Sequence, residues 1–266
     1  MIHRGIFAAL TLVAAVAPAA AQPAGAQTAQ APQSPTGTTF LSRFAFHVGM
    51  EHLSSPDPRF VWDARWGGDL DLVDYGRGAV TFTAVYQTIL GDEFREFDPN
   101  QGNYTLEGAA SIRTRPVEMA LVFHHVSRHL SDRPKRFPVD WNMLGGRVRA
   151  GLTRGRTQLQ SRVDVRSTVQ KSFVDYRWEL DGEARTQIRL TPRIAVVGLG
   201  GARVLGVDGS RTRGNQYGWR ADGGIRLEGG AAALELFVAG ERRIDPYQLE
   251  FSTATWFTSG FRLLSR

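Results

Sequence analysis

The chain has 266 residues and no cysteine. That length suits one large domain, and the missing thiol excludes a disulfide framework, a thiolate metal site, a cysteine nucleophile and a lipid-modified N-terminal cysteine. The formal charge is +6, with Lys135 and Lys171 the only lysines. The arginines are interleaved with Asp and Glu rather than gathered in a basic run, so no nucleic-acid partner is expected.

His3 and Arg4 make a short basic start, Ile6 to Val16 is an apolar run, and Ala19-Ala20-Ala21 is a small-residue cleavage site. Together they predict a signal peptide over residues 1–21. Residues 22–39, rich in Pro, Gln, Ala and Thr, read as a disordered linker ahead of one domain over 40–266. No later stretch is apolar enough for a transmembrane helix.

From residue 40 onward the hydrophobic period is two. Leu159, Val163 and Val165 alternate with Gln158, Arg162, Asp164 and Arg166. From Val174 to Leu190, Tyr176, Trp178, Leu180 and Ile188 alternate with Asp175, Arg177, Glu179, Asp181, Glu183 and Arg185. A strand collects these charges on one face, whereas a helix would scatter them. Twelve strands are predicted, near 40–50, 60–71, 79–90, 103–114, 117–129, 142–152, 157–169, 174–190, 193–206, 216–228, 231–243 and 251–264.

Three features favour a barrel in a membrane over a soluble sandwich. The strands are long enough to cross a bilayer at a tilt. Tyr176, Trp178, Tyr217, Trp219, Phe257 and Phe261 lie near strand ends on the apolar face, in the manner of an aromatic girdle. Short and long connections alternate, with both termini on the short side. The expectation is an all-β, transmembrane, antiparallel up-and-down β-barrel of about twelve strands in the outer membrane of a Gram-negative bacterium. Outer-membrane lipid would surround it. Gly260-Phe261-Arg262-Leu263 resembles the C-terminal strand signal read by the barrel-assembly machinery, although the chain ends in Ser265-Arg266 rather than an aromatic residue. Oligomeric state is left open.

Two sets of residues could carry function. Arg162, Arg166, Arg177, Glu179, Arg220 and Asp222 fall on the polar face and are expected to line the lumen. They would make either a salt-bridged filling, for a structural barrel, or a narrow porin-like channel. The second set lies in Phe123 to Asp132, which holds three of the six histidines. His125 and His129 are too far apart on one strand to share a metal ion, so no metal and no cofactor is expected. Asp98-Pro99-Asn100 begins like a calcium loop but lacks the final bidentate Glu. His125 and Ser127 are two apart on one strand face, within reach of general-base activation of the hydroxyl. In that reading Ser127 is the nucleophile, His125 the base, and Asp140 or Asp132 the orienting acid.

His125-x-Ser127 resembles the exterior His-x-Ser pair of lipid A deacylase, an outer-membrane barrel hydrolase. That family continues with Asn where this chain has Arg128, uses a Glu as its acid and has fewer strands. The resemblance implies an outer-leaflet lipid hydrolase. The run His125 to Asp132 is also similar to a His-x-Ser-Ser-His-Leu-Gly-Asp signature in a family of uncharacterised bacterial outer-membrane proteins of about this size. His125, Ser127, His129, Leu130 and Asp132 are kept, and Arg128 and Ser131 depart from it. Asp57-Pro58-Arg59-Phe60 and the run Arg242 to Tyr247 resemble such chains too. This second resemblance implies the barrel fold and its location, and no activity.

Overall fold

The computed structural model describes residues 37–134 and 137–265. The expected signal peptide and nearly all of the linker lie outside them. Twelve strands follow in order: β1 (Thr39–Leu53), β2 (Trp62–Asp74), β3 (Ala79–Gly91), β4 (Asp98–Thr114), β5 (Val117–Leu130), β6 (Val139–Arg154), β7 (Thr157–Ser172), β8 (Tyr176–Arg189), β9 (Ile194–Val207), β10 (Gln216–Glu228), β11 (Ala232–Ile244) and β12 (Thr253–Ser265). Each pairs antiparallel with its sequence neighbours, and β1 pairs with β12 to close the barrel. The seam runs over His47–Leu53 of β1, while residues 39–46 project past the end of β12 and pair with β2 alone. Elsewhere closure pairs the strand edges, which is what a strand protein needs inside a bilayer, where water cannot satisfy a free N–H or C=O.

The alternation places apolar side chains outside. Leu121, Val238 and Phe257 are 61%, 66% and 76% exposed, as part of an apolar surface that surrounds the strands. A soluble protein does not present so much contiguous apolar area. The turns 75–78, 115–116, 155–156, 190–193 and 229–231 are short and share an end with Thr39 and Ser265. Gly155 takes a positive φ of 58° in the two-residue turn between β6 and β7, a conformation that carries little cost without a Cβ. Most connections at the opposite end are longer. In bacterial barrels the longer loops face outward, so this end is called the outer end.

Several expectations need correction. β4 begins at Asp98, five residues before the expected 103, because Asp98 and Pro99 continue the ladder opposite Gly91 and Leu90 after a register shift. β6 likewise begins at Val139 rather than 142. In β8 a register shift falls between Tyr176 and Trp178. It turns Tyr176 inside, where its ring is buried and its hydroxyl donates to Asp245 Oδ2 at 2.7 Å. Trp178 lies over Gly206, where any side chain would collide with the indole. Strict alternation across a bulge therefore misplaces Tyr176, expected on the apolar exterior.

The interior is filled in two ways. At the outer end lie two apolar clusters: Val139, Trp141, Met143, Val174, Tyr176 and Leu205, and Leu53, Phe60, Ile89 and Trp256. Towards the turn end the filling is ionic. Glu235 is fully buried and faces Arg185, Arg226 and Arg262. Removing one member of a buried ion cluster leaves the others uncompensated, at a cost of about 3 kcal/mol or more. Glu235→Ala should therefore lower barrel stability by about that amount in urea or guanidinium unfolding in detergent micelles, while Glu183→Ala, which removes only a 3.9 Å approach to Arg162 from a half-buried carboxylate, should cost much less.

Candidate active site

The expected lumen residues divide. Arg162 meets Asp181 at 2.9 Å and Asp164 at 3.3 Å. Arg166 meets Glu179 at 2.5 Å and Glu107 at 3.4 Å. Arg220 reaches across β11 and β12 to Glu51 at 2.8 Å, and pairs with Glu241 at 2.8 Å and Asp222 at 3.5 Å. Asp222 also takes Arg262 at 3.0 Å. These groups are committed to one another. Arg177 is different: it is exposed at the β8 register shift and does not border the interior cavity, contrary to expectation. The bulge removes it from the inward row.

The outer mouth is spanned by the connection 245–252. Arg128 is buried and donates to the carbonyls of Asp245 at 2.7 Å and Pro246 at 2.8 Å. Gln101 Nε2 donates to the Pro246 carbonyl at 3.2 Å. From the loop side, Arg213 holds the Asp245 carboxylate at 2.8 Å; its guanidinium, between Asp175 and Asp245, is raised well above the ordinary arginine range despite its burial. Arg128, a departure from both resembled signatures, thus serves the plug and not the exterior. Beneath this cap a cavity of about 760 Å³ remains among the arginines and carboxylates. Purified protein in a planar bilayer should show no steady porin-sized conductance. Arg128→Ala, which releases the cap, should raise it.

The His/Ser cluster lies on the opposite face of β5. Met119, Leu121 and Phe123 are exposed on the exterior, and His125, Ser127 and His129 continue the same row towards the outer end. His124, one residue out of phase, points inside and meets Glu107 at 3.3 Å. Beside the row, Trp66, Tyr86 and Tyr104 are register partners on β2, β3 and β4, and Tyr104 is opposite Ser127. Their rings are in contact, with centroids 4.6 Å apart at each step, and Tyr104 meets the His129 ring edge-on at 5.5 Å. The sequence does not mark this aromatic row, because its members become neighbours only through the register of β2, β3 and β4.

On the other side of β5, Asn142 of β6 is opposite His125, and Asp140 is opposite Ser127. His125 Nδ1 donates to Asn142 Oδ1 at 2.6 Å. Asn142 Nδ2 donates to Gln170 Oε1 of β7 at 2.6 Å, and Gln170 Nε2 donates to Asp140 Oδ1 at 3.1 Å. Because the Asn142 amide nitrogen is turned to Gln170, its oxygen faces the imidazole and Nδ1 must carry the proton. In the neutral ring that tautomer leaves the lone pair on Nε2. Ser127 Oγ lies 2.8 Å from Nε2 of His129, its other neighbour two residues along the strand.

The hydrogen-bond partner of His125 Nδ1 is Asn142 rather than either expected acid. Asp132 is in the loop with a positive φ of 52°, its exposed side chain 3.9 Å from Arg95. Asp140 belongs to the cluster but reaches His125 only through Gln170 and Asn142. The group on the imidazole is a neutral carboxamide, missed because a search for an acid passes over Asn142. The available signal was parity: Asp140 and Asn142 precede Leu144 and Val148 on a lipid-facing row, where polar side chains are costly.

No protein-family model and no curated protein matches the chain. Among solved structures, outer membrane phospholipase A from Escherichia coli superposes with a TM-score of 0.52 at 10% identity, covering 85% of this chain and 98% of that one. The same phospholipase carrying an asparagine-to-alanine active-site mutation, at pH 6.1, gives a TM-score of 0.52 at 10% identity over 90% of this chain and 95% of that one. The Acinetobacter baumannii outer membrane protein Omp33 gives 0.41 at 12% identity over 84% and 97%. The chain is an outer-membrane-type β-barrel protein with twelve antiparallel strands.

Proposed function

We propose that this barrel is an outer-leaflet lipid hydrolase that cleaves an acyl ester, with Ser127 as nucleophile, His125 as general base and Asn142 as the group that orients the imidazole. The observation that carries the reading is the His125 Nδ1 to Asn142 Oδ1 hydrogen bond at 2.6 Å, made on the apolar exterior beside a serine. His125, Ser127 and Asn142 extend a row that is apolar at Met119, Leu121 and Phe123, and polar side chains on a lipid-facing row are candidates for function. Its depth fits a lipid ester. Tyr104 and the rings beside it suit a membrane interface, and Phe123 and Leu121, next along the row, suit acyl chains.

The chemistry runs in two halves. Ser127 Oγ attacks the ester carbonyl carbon as its proton passes to His125 Nε2, and His125 returns that proton to the departing alkoxide. Water, deprotonated by the same nitrogen, then releases the acyl group as a fatty acid and restores the serine. The Ser127 hydroxyl must turn from His129 to His125, a rotation about one bond between two neighbours equally spaced along the strand. β5 is paired on both edges at this level, so its own amides are occupied and stabilisation of the oxyanion falls to groups beyond that ladder.

The similarly folded phospholipase has an active-site asparagine, and phospholipid is therefore taken as the first substrate to test, with lipid A as the second. The narrow-channel reading rests on the 760 Å³ cavity, and the cap of Asp245 and Pro246 weighs against it. In either case β12 is proposed as the segment read by the barrel-assembly machinery.

The test is mass spectrometry of phospholipid and lipid A from cells expressing each variant, with heat-dependent gel mobility as the check on assembly. Wild type should release fatty acid from phospholipid. Ser127→Ala and His125→Ala should lose activity by about 10³-fold or more, and Asn142→Ala by about tenfold or more. His129→Ala should remain active. Release from lipid A alone would move the substrate to that lipid, and unchanged lipid profiles for an assembled wild type would sink the hydrolase reading.

A further inference from the structure

β7 bears a register shift at the level of the exterior cluster. Met143 is opposite Thr168, so an even ladder would bring Val169 opposite Asn142. Instead Asn142 is opposite Gln170, and Trp141 is opposite Lys171. The extra residue is Val169, which is 61% exposed on the lipid side. Bulges of this kind re-aim a side chain, and here the consequence is specific: a carboxamide stands beside Asn142 where the regular ladder would put a valine.

We infer that Gln170 is a positioning residue that fixes the orientation of Asn142, and through it the tautomer of His125. The inference rests on the hydrolase reading for its catalytic consequence, but its structural content stands apart. The hydrogen bonds run one way: His125 Nδ1 donates to Asn142 Oδ1, Asn142 Nδ2 donates to Gln170 Oε1, and Gln170 Nε2 donates to Asp140 Oδ1. Asp140 can only accept when ionised, so it sets the direction of the chain. Reversing Asn142 would point its NH₂ at His125 Nδ1. That nitrogen would then have to accept, the proton would move to Nε2, and the imidazole could no longer take a proton from Ser127. The other titratable groups near His125 on this exterior face are His129 on β5, Tyr104 on β4 and Asp140 on β6.

Two substitutions separate this role from a purely structural one. Gln170→Leu removes the acceptor for Asn142 while keeping bulk on the exterior. Gln170→Glu keeps that acceptor. The direct readout is the ¹⁵N spectrum of histidine-labelled protein in micelles, with the His125 signals assigned by their loss in His125→Gln. Wild type and Gln170→Glu should show His125 as the Nδ1–H form, and Gln170→Leu should show a mixture rich in Nε2–H. In phospholipid hydrolysis, kcat of Gln170→Leu should fall about tenfold or more with KM within about twofold, and Gln170→Glu should restore most of it.

An unchanged tautomer in an assembled Gln170→Leu barrel would overturn the inference, whatever the activity. A changed tautomer in a barrel whose wild type hydrolyses no lipid would uphold the positioning role and reject the hydrolase reading. A kcat loss shared equally by both variants, with no tautomer change, would assign Gln170 to local packing and also overturn it.

Discussion

The bilayer offers a backbone N–H or C=O no hydrogen-bond partner, and everything else in this molecule follows from that constraint. It requires each strand to be paired on both edges within the bilayer, which β1 and β12 achieve by closing the ring over His47–Leu53. Closure with a side-chain period of two divides the chain into an exterior row that must be apolar and an interior row free to be polar. The two rows then have opposite problems. Outside, any polar side chain is out of place unless it works. Inside, any charge must find a partner.

The interior meets its requirement by setting many inward arginines against carboxylates on other strands. Arg147 on β6 reaches past β5 to Glu107 on β4 at 2.8 Å and holds Asp164 on β7 at 2.7 Å. Arg243 on β11 reaches Asp63 on β2 at 2.6 Å. Such contacts tie distant staves together and suit a rigid scaffold. They depend on mutual compensation and need not stabilise more than an apolar filling would. The exterior cluster is held by this scaffold: the ladders on both sides of β5 set His125 opposite Asn142.

Much of the fold was legible because period-two alternation is a direct consequence of the strand pleat. The strand count, the closed topology and the short-turn end all follow from it. The errors share a cause. Alternation is carried forward residue by residue, and a bulge adds a residue without any mark in composition. Tyr176 and Arg177 were misplaced by one bulge, and Gln170 was hidden by another. The outer apolar clusters and the cap over the mouth were illegible for a different reason: they are made by loops and strand ends meeting across the barrel. Of the candidate site, Ser127 and His125 could be named because they share one strand. Asn142 could not, since its place opposite His125 depends on the hairpin register and a neutral amide carries no signature of its own.

The central claim is that a serine facing the lipid side of β5 is a nucleophile activated by the His125–Asn142 pair. The most direct measurement is covalent labelling of the folded barrel with a fluorophosphonate, followed by peptide mass mapping. The account predicts one adduct, on Ser127, formed in wild type and in His129→Ala but not in His125→Ala. An assembled wild-type barrel that leaves Ser127 unlabelled, or labelling that survives loss of His125, would contradict it.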